Sequence, residues 1–249
     1  MRTAWIAVAL LWPVAMLNYL DRQMLASMKF SVMQDVPGID TDAKWGLMLG
    51  QFKWVYAFLS PLGGLVADRF GRKRTIVASL TAWSAVTWAT GEAHTFTQLL
   101  WTRTLMGCSE AFYFPAALAL IADHHASTTR SRAVGVHQMA VYAGAMLGGF
   151  GGYAADAPAV GWRGAFHIAG LAGVLYALPL ALMLRECRSP MPATALQARG
   201  AMSRGPVALA RSVAADLLEL LRTRAFLLLV TCFTLPDRKS TRLNSSHRT

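Results

Sequence analysis

The sequence predicts an all-α membrane protein, a bundle of six membrane-spanning helices followed by the start of a seventh. Three observations predict it. The chain is 55% hydrophobic and only 15% charged, whereas soluble domains carry about 25% charged residues. Its apolar residues come in blocks of roughly 20, the length that crosses a hydrocarbon core at about 1.5 Å per residue. The blocks also lack the period-two alternation of a membrane barrel, which leaves helices as the elements that satisfy their own backbone in lipid.

The six spans are read at 5–26, 45–66, 75–93, 99–122, 132–154 and 162–184. The first reads as a retained helix and not a cleaved signal. It exceeds the 7–15 apolar residues of a signal peptide, contains Asp21 and Arg22, and no small-residue cleavage site follows it. Basic residues set the orientation. Arg69, Arg72, Lys73 and Arg74 follow span two, Arg130 and Arg132 follow span four, and a basic stretch from Arg185 to Arg224 follows span six. The opposite loops hold only Lys29, Lys44 and Arg163. The positive-inside rule therefore puts the N-terminus in the cytoplasm. Trp5, Trp45, Trp101 and Trp162 fall near span ends as interfacial anchors do, whereas Trp54, Trp83 and Trp88 do not.

Residues 1–184 thus form the bundle. Residues 185–224 read as a basic, Pro- and Gly-containing cytoplasmic linker, with an amphipathic helix expected over 207–221. Residues 225–235 begin a seventh span but are too few to cross. Residues 236–249 turn abruptly polar, continue no pattern and read as a non-native tail resembling translated cloning adapter, so the chain is expected to be truncated early in the seventh helix.

A net charge of +11 would raise nucleic-acid binding in a soluble protein. Here topology accounts for it, and no nucleic-acid partner is expected. Cys108, Cys187 and Cys232 are too few and scattered for a disulfide framework or a metal site; Cys108 and Cys232 read as apolar filler. There is no nucleophile elbow, phosphate-binding Gly loop or metal-ligand cluster, so neither an enzyme nor a cofactor is expected.

Charges inside spans cost about 2.5–3.5 kcal/mol each on insertion scales, so those present are the site candidates. Arg103 and Glu110 are seven residues apart, which puts them on one face of span four, about 10.5 Å apart along the axis. They point inward, to a watery cavity or into an ion pair with a neighbouring span, and Pro115 is placed to bend the helix just beyond. Asn18, Asp21 and Arg22 share a face of span one; the lesser alternative is that Asp21 and Arg22 snorkel at its end. Lys53 lies mid-span with Tyr56 and Ser60 on its face; it either pairs with Asp21 or Glu110 for structure or serves as a further cation for substrate. Gly135, Gly144, Gly148, Gly149, Gly151 and Gly152 in span five read as tight helix packing. His124 and His125 are expected in solvent at the cytoplasmic end of span four, and His137 and His167 as packing histidines.

Between spans two and three stands Gly64-x-x-x-Asp68-Arg69-x-Gly71-Arg72-Lys73. As residues, this is a basic loop that enforces topology, with Gly64 allowing close helix approach. The pattern resembles the signature loop of the major facilitator superfamily, and Arg103-x-x-x-Gly107 resembles that superfamily's pattern in span four. The resemblance implies that Asp68, Arg69 and Arg72, with Gly64 and Gly71, form a charge-relay contact that steadies one conformational state.

A narrower resemblance rests on Asn18-Tyr19-x-Asp21-Arg22, on Arg103 through Glu110-Ala111 with Pro115, and on Gly161-Trp162-Arg163 with Phe166. Together these are similar to the anion:cation symporter family. By position, this implies Asp21 and Glu110 as proton carriers, Arg22 as anchor for a substrate carboxylate, and Arg103 as the group biasing both acids. Tyr19 and Tyr56 become polar substrate contacts. The sequence departs from that family where a glutamine is common near Leu59 or Ser60, and Lys53 would suit a dianion or a phosphorylated sugar. The implied function is proton-coupled symport of an organic anion such as a sugar acid. It would proceed by alternating access of this half and a missing C-terminal six-helix half, in a bacterial inner membrane. A sugar-phosphate exchanger, a neutral-solute carrier and a non-transporting ligand sensor are the alternatives.

Overall fold

The computed structural model describes residues 2–186 and 222–223. The rest of the expected linker, the start of the seventh span and the polar tail lie outside the described residues. Those described are helical, without strands. In order the helices are α1 (Arg2–Ser27), α2 (Lys29–Asp35), α3 (Asp42–Phe70), α4 (Arg72–Gly91), α5 (Phe96–Glu110), α6 (Tyr113–His124), α7 (Ser127–Gly149), α8 (Gly151–Asp156) and α9 (Gly161–Met183).

The six expected spans correspond to α1, α3, α4, α5 with α6, α7 with α8, and α9. By length and apolar composition alone, three of these are sufficient to cross a membrane: Thr3–Ser27, Phe96–His124 and Gly161–Met183. The other three carry polar residues within their length. Lys53 interrupts α3, α4 opens on Arg72-Lys73-Arg74 and continues through Ser79, Ser84, Thr87 and Thr90, and α7 opens on Arg130 and Arg132.

Local chemistry fixes the boundaries. Thr41 caps α3 by accepting from the Lys44 amide at 3.3 Å. Thr95 and Gln98 form a reciprocal capping box at the start of α5, which satisfies amides that have no partner inside the helix. Gly71, at φ 94°, separates α3 from α4, a backbone angle that costs glycine little. Span four is broken at Ala111–Phe112. That lies four residues before Pro115, whose ring has no N–H and crowds the carbonyl of residue 111. The freed turn brings the Ala111 carbonyl against Gly63, where an added Cβ would sit 2.8 Å from it. Gly63 therefore provides the close approach expected of Gly64, whose own Cβ would meet nothing within 4 Å.

α2 was not legible as a helix, and Asp35 at its end explains its place. The Trp162 indole donates to Asp35 at 3.0 Å, and Arg163 forms an ion pair with it at 3.0 Å. The Gly161-Trp162-Arg163 triplet thus pins the short helix to the start of α9.

Helix α1 packs along α7, and α4 along α9. The α1–α7 seam depends on glycine. A Cβ on Gly144 would collide with the Met16 carbonyl, and one on Gly148 would sit 2.5 Å from the Leu20 carbonyl. The Ser27 hydroxyl bonds the Gly148 carbonyl at 2.9 Å. The packing expected of the span-five glycines holds for Gly144, Gly148 and Gly151, but a Cβ on Gly135 or Gly149 would meet nothing within 4 Å. Two apolar cores result. One gathers Leu11, Ile76, Leu80, Trp83, Tyr113 and Leu120; the other gathers Leu25, Val32, Met48, Leu99 and Phe166.

Gly148→Val is expected to destabilise the purified protein by about 1–3 kcal/mol through overpacking, whereas Gly149→Val leaves it unchanged. Thermal unfolding of both variants in detergent checks the contrast.

Candidate functional site

The charged residues of spans one and four meet where the two apolar cores adjoin. Glu110, Asp21 and Arg103 are 1%, 2% and 3% exposed, and Asn18 is fully buried beside them. Arg22 Nε donates to Glu110 Oε2 at 2.7 Å. Its Nη2 lies 2.6 Å from the same oxygen, as an ion-pair contact and not an aligned hydrogen bond. Asp21 and Arg22 therefore do not snorkel. Arg22 is held by Glu110 of α5, and the inward ion pair of span four is Glu110 with Arg22.

Two hydroxyls on α4 complete the cluster. Thr87 donates to Asp21 Oδ2 at 2.8 Å, and Arg103 Nη2 donates to the Thr90 hydroxyl at 2.9 Å. Residues 87 and 90 are one helical turn apart, so one face of α4 holds both an acid of α1 and a base of α5. Asp21 lies within electrostatic reach of Glu110, Arg103 and Arg22. The four groups contain two cations and two anions, so the buried cluster is balanced. It is not fully saturated: Asp21 Oδ1 and Arg103 Nε have no aligned hydrogen bond, and Glu110 Oε1 has none beyond the neighbouring Asn18 amide. Buried polar atoms are rarely left so; here the carboxylate oxygens can accept and the Arg103 Nε–H can donate.

Aromatic rings surround Arg22. Its guanidinium carbon lies 4.9 Å from the Tyr19 ring centre, 4.7 Å from Phe52 and 4.8 Å from Tyr56. Such contacts hold a guanidinium flat while leaving its remaining donors available. Lys53 is not part of this cluster. It is exposed on α3, and Glu110 and Asp21 have the partners already named, so the expected structural pairing with Lys53 is not formed. Sequence reasoning missed Thr87, Thr90 and Phe52. Two hydroxyls at i and i+3 inside an apolar span were the available sign.

At the other end of the unit, the signature loop is braced by Arg72. This side chain pairs with Asp123 of α6, lies 3.5 Å from Asp68, and donates to the Ala119 carbonyl at 2.8 Å. Arg69 is exposed and lies over the Phe70 ring. The first turn of α4 has no side-chain cap of its own at Gly71. Glu186, beyond the end of α9, supplies one, accepting from the Arg72 amide at 2.7 Å and the Lys73 amide at 3.0 Å. A carboxylate there also faces the positive end of the helix dipole.

Of the histidines, His125 departs from expectation. It is buried, with its ring edge-on to Trp5 at 5.0 Å and its Nδ1 3.2 Å from the Thr129 hydroxyl. His137 is a packing histidine, bonded to the Tyr113 hydroxyl at 3.0 Å. His167 lies against Trp88 and 3.0 Å from Glu92.

This architecture is a bundle of helices, three of them long and apolar enough to cross a membrane, built around a buried cluster of charges. The chain belongs to the Major Facilitator Superfamily, which it matches over residues 11–236, and it is accordingly an integral membrane protein. It is 33% identical over 186 residues to human Protein spinster homolog 1, covering 72% of this chain and 34% of that protein. An MFS-type efflux pump of Mycolicibacterium smegmatis is 33% identical over 193 residues, covering 77% of this chain and 44% of the pump. The sphingosine-1-phosphate transporter SPNS2 of Xenopus tropicalis is 30% identical over 161 residues, covering 64% of this chain and 31% of that protein. The crystal structure of a bacterial homolog of the human lysosomal transporter Spinster, inward-facing and occupied, superposes with a TM-score of 0.71 at 26% identity. That match covers 78% of this chain and 47% of the solved one. The chain thus spans about a third of the length of the spinster relatives and just under half of the solved homolog.

Glu186→Ala is expected to cost about 1 kcal/mol by removing the cap of α4, with Glu186→Asp retaining part of it. Chemical or thermal unfolding in detergent measures the difference.

Proposed function

We propose that this chain is one half of a proton-coupled carrier of organic anions, working by alternating access with a companion six-helix half. The observation that supports this most is the balanced, unsaturated cluster of Arg22, Glu110, Asp21 and Arg103. An entering carboxylate or phosphate competes with Glu110 for Arg22. The cluster then holds one negative charge in excess, and an unpaired buried charge is expensive. A proton taken by Glu110, with Asp21 as the second acceptor, restores balance, so binding and protonation are coupled by charge neutrality. Arg103 holds the two acids in one field, and Tyr19 and Tyr56 offer hydroxyls beside the anchor.

The substrate class follows from the anchor and its walls. One guanidinium framed by three aromatic rings suits an anion with an apolar portion as well as a sugar acid. The resemblance to anion:cation symporters supports the sugar acid, and the similarity to a sphingosine-1-phosphate transporter supports an amphipathic phosphate. Lys53 lies outside the cluster and would serve a second negative group only on the companion half's side of α3. In this reading the loop residues Gly64, Asp68, Arg69, Gly71 and Arg72 act as the conformational switch. The protein lies in a bacterial inner membrane with its N-terminus in the cytoplasm, as the basic loops favour.

The test is uptake into proteoliposomes by the chain joined to its companion half, driven by an imposed pH gradient, with sugar acids and lysophospholipid-like phosphates as alternative substrates. Glu110→Gln is expected to abolish accumulation while leaving exchange of internal for external substrate. Arg22→Lys is expected to raise KM about tenfold or more, because the planar fork is lost. Gradient-driven accumulation by Glu110→Gln would contradict the reading, and accumulation by the chain alone would remove the need for a companion half.

A further inference from the structure

The outer face of α4 is a ridge along which, among the described residues, no other helix lies. Arg74, Ala78 and Ala82 are exposed and Val86 half-buried, recurring every four residues. Beside the ridge runs a cavity of about 620 Å³, walled by Phe70 at the end of α3 and by Leu105 and Phe112 of span four. Its floor is closed by a hydrogen bond from the Ser79 hydroxyl to the Ser109 carbonyl. The polar atoms of the floor are thus satisfied, and the surface left to an occupant is apolar.

The groove has a polar end and a length. Arg74 stands at the loop end and, among the described residues, has neither a hydrogen bond nor an ion pair. Its neighbour Arg72 is by contrast fully engaged by Asp68, Asp123 and Ala119. From Arg74 to Val86 the ridge runs about 18 Å at about 1.5 Å per residue. One leaflet contributes about 15 Å of a hydrocarbon core about 30 Å thick. A slot one leaflet deep, apolar along its length and cationic only at its headgroup end, has the charge and dimensions of a membrane lipid with an anionic head. We propose that it binds an anionic phospholipid of the leaflet bordering the α3–α4 loop. The phosphate sits on Arg74 and an acyl chain lies along Ala78, Ala82 and Val86. None of the charged cluster at Arg22 takes part, so the site stands or falls independently of the transport reading.

Cys108 lines the groove and reports its occupancy. In a Cys187→Ser, Cys232→Ser background, the full chain in detergent is treated with N-ethylmaleimide after addition of phosphatidylglycerol or phosphatidylcholine. Phosphatidylglycerol is expected to slow alkylation of Cys108 about fivefold more than phosphatidylcholine, the effect of one basic residue on an anionic lipid. Arg74→Gln is expected to remove the difference and Arg74→Lys to keep it. Ala82→Trp, which fills the slot, is expected to protect Cys108 whatever lipid is present. Melting temperatures confirm that each variant is folded. Equal protection by both lipids, or a preference that survives Arg74→Gln, overturns the proposal. So does protection of Cys108 with no lipid at all when Ala82 is unchanged, which would mean that a segment of the chain itself covers the groove.

Discussion

Charge neutrality inside a medium that cannot solvate charge is the constraint on which the rest depends. Two arginines and two carboxylates lie within the helical unit, and each is tolerable only because of the others. Removing one partner of a buried pair typically costs about 3–5 kcal/mol. The helices must therefore hold Arg22 against Glu110 to within hydrogen-bond distance, and Asp21 within electrostatic reach of Arg103. The glycine seam between α1 and α7 positions Asp21 and Arg22 on one side. The Gly107 and Gly63 contacts with α3 and span four position Arg103 and Glu110 on the other, since a Cβ on Gly107 would sit 2.9 Å from the Phe52 carbonyl.

The same constraint gives the cluster a means of responding. In the proposed transport reading, a balanced set of charges with unfilled hydrogen-bond positions is stable yet accepts exchange of one anion for another, provided a proton accompanies it. The signature loop is built on a similar device at the membrane edge, where Arg72 is shared between α3 and α6. There the ion pairs join helix ends, and the Glu186 carboxylate joins the start of α4 to the residues after α9. Contacts at helix ends and near the surface exchange with water more easily than those in the core, which suits the conformational-switch role proposed for this loop.

Much of this was legible in the sequence because length and charge are local properties. The six helices followed from the apolar blocks, and Arg103 with Glu110 from seven-residue spacing. What was not legible depended on rotation and on partners. Whether Asp21 snorkels or is buried turns on which neighbour α1 meets, and α7's glycines decide that only in three dimensions. Gly63 and Gly64 differ by about 100° around the helix, which the loop pattern alone does not resolve. Thr87 and Thr90 look like ordinary span residues until Asp21 and Arg103 arrive opposite them. Glu186 was hidden inside a stretch whose basic composition reads as linker, and α2 is only seven residues long with no apolar period to reveal it.

The most direct test is an infrared difference spectrum of the purified protein on addition of an organic anion, with glutamate carboxyls isotopically labelled. If Arg22 leaves Glu110 for the ligand, a labelled protonated-carboxyl band rises as the labelled carboxylate band falls, and Glu110→Gln lacks both. If the anion binds and no glutamate changes protonation, or the change persists in Glu110→Gln, neutrality is kept by some other group and Glu110 is a structural partner of Arg22.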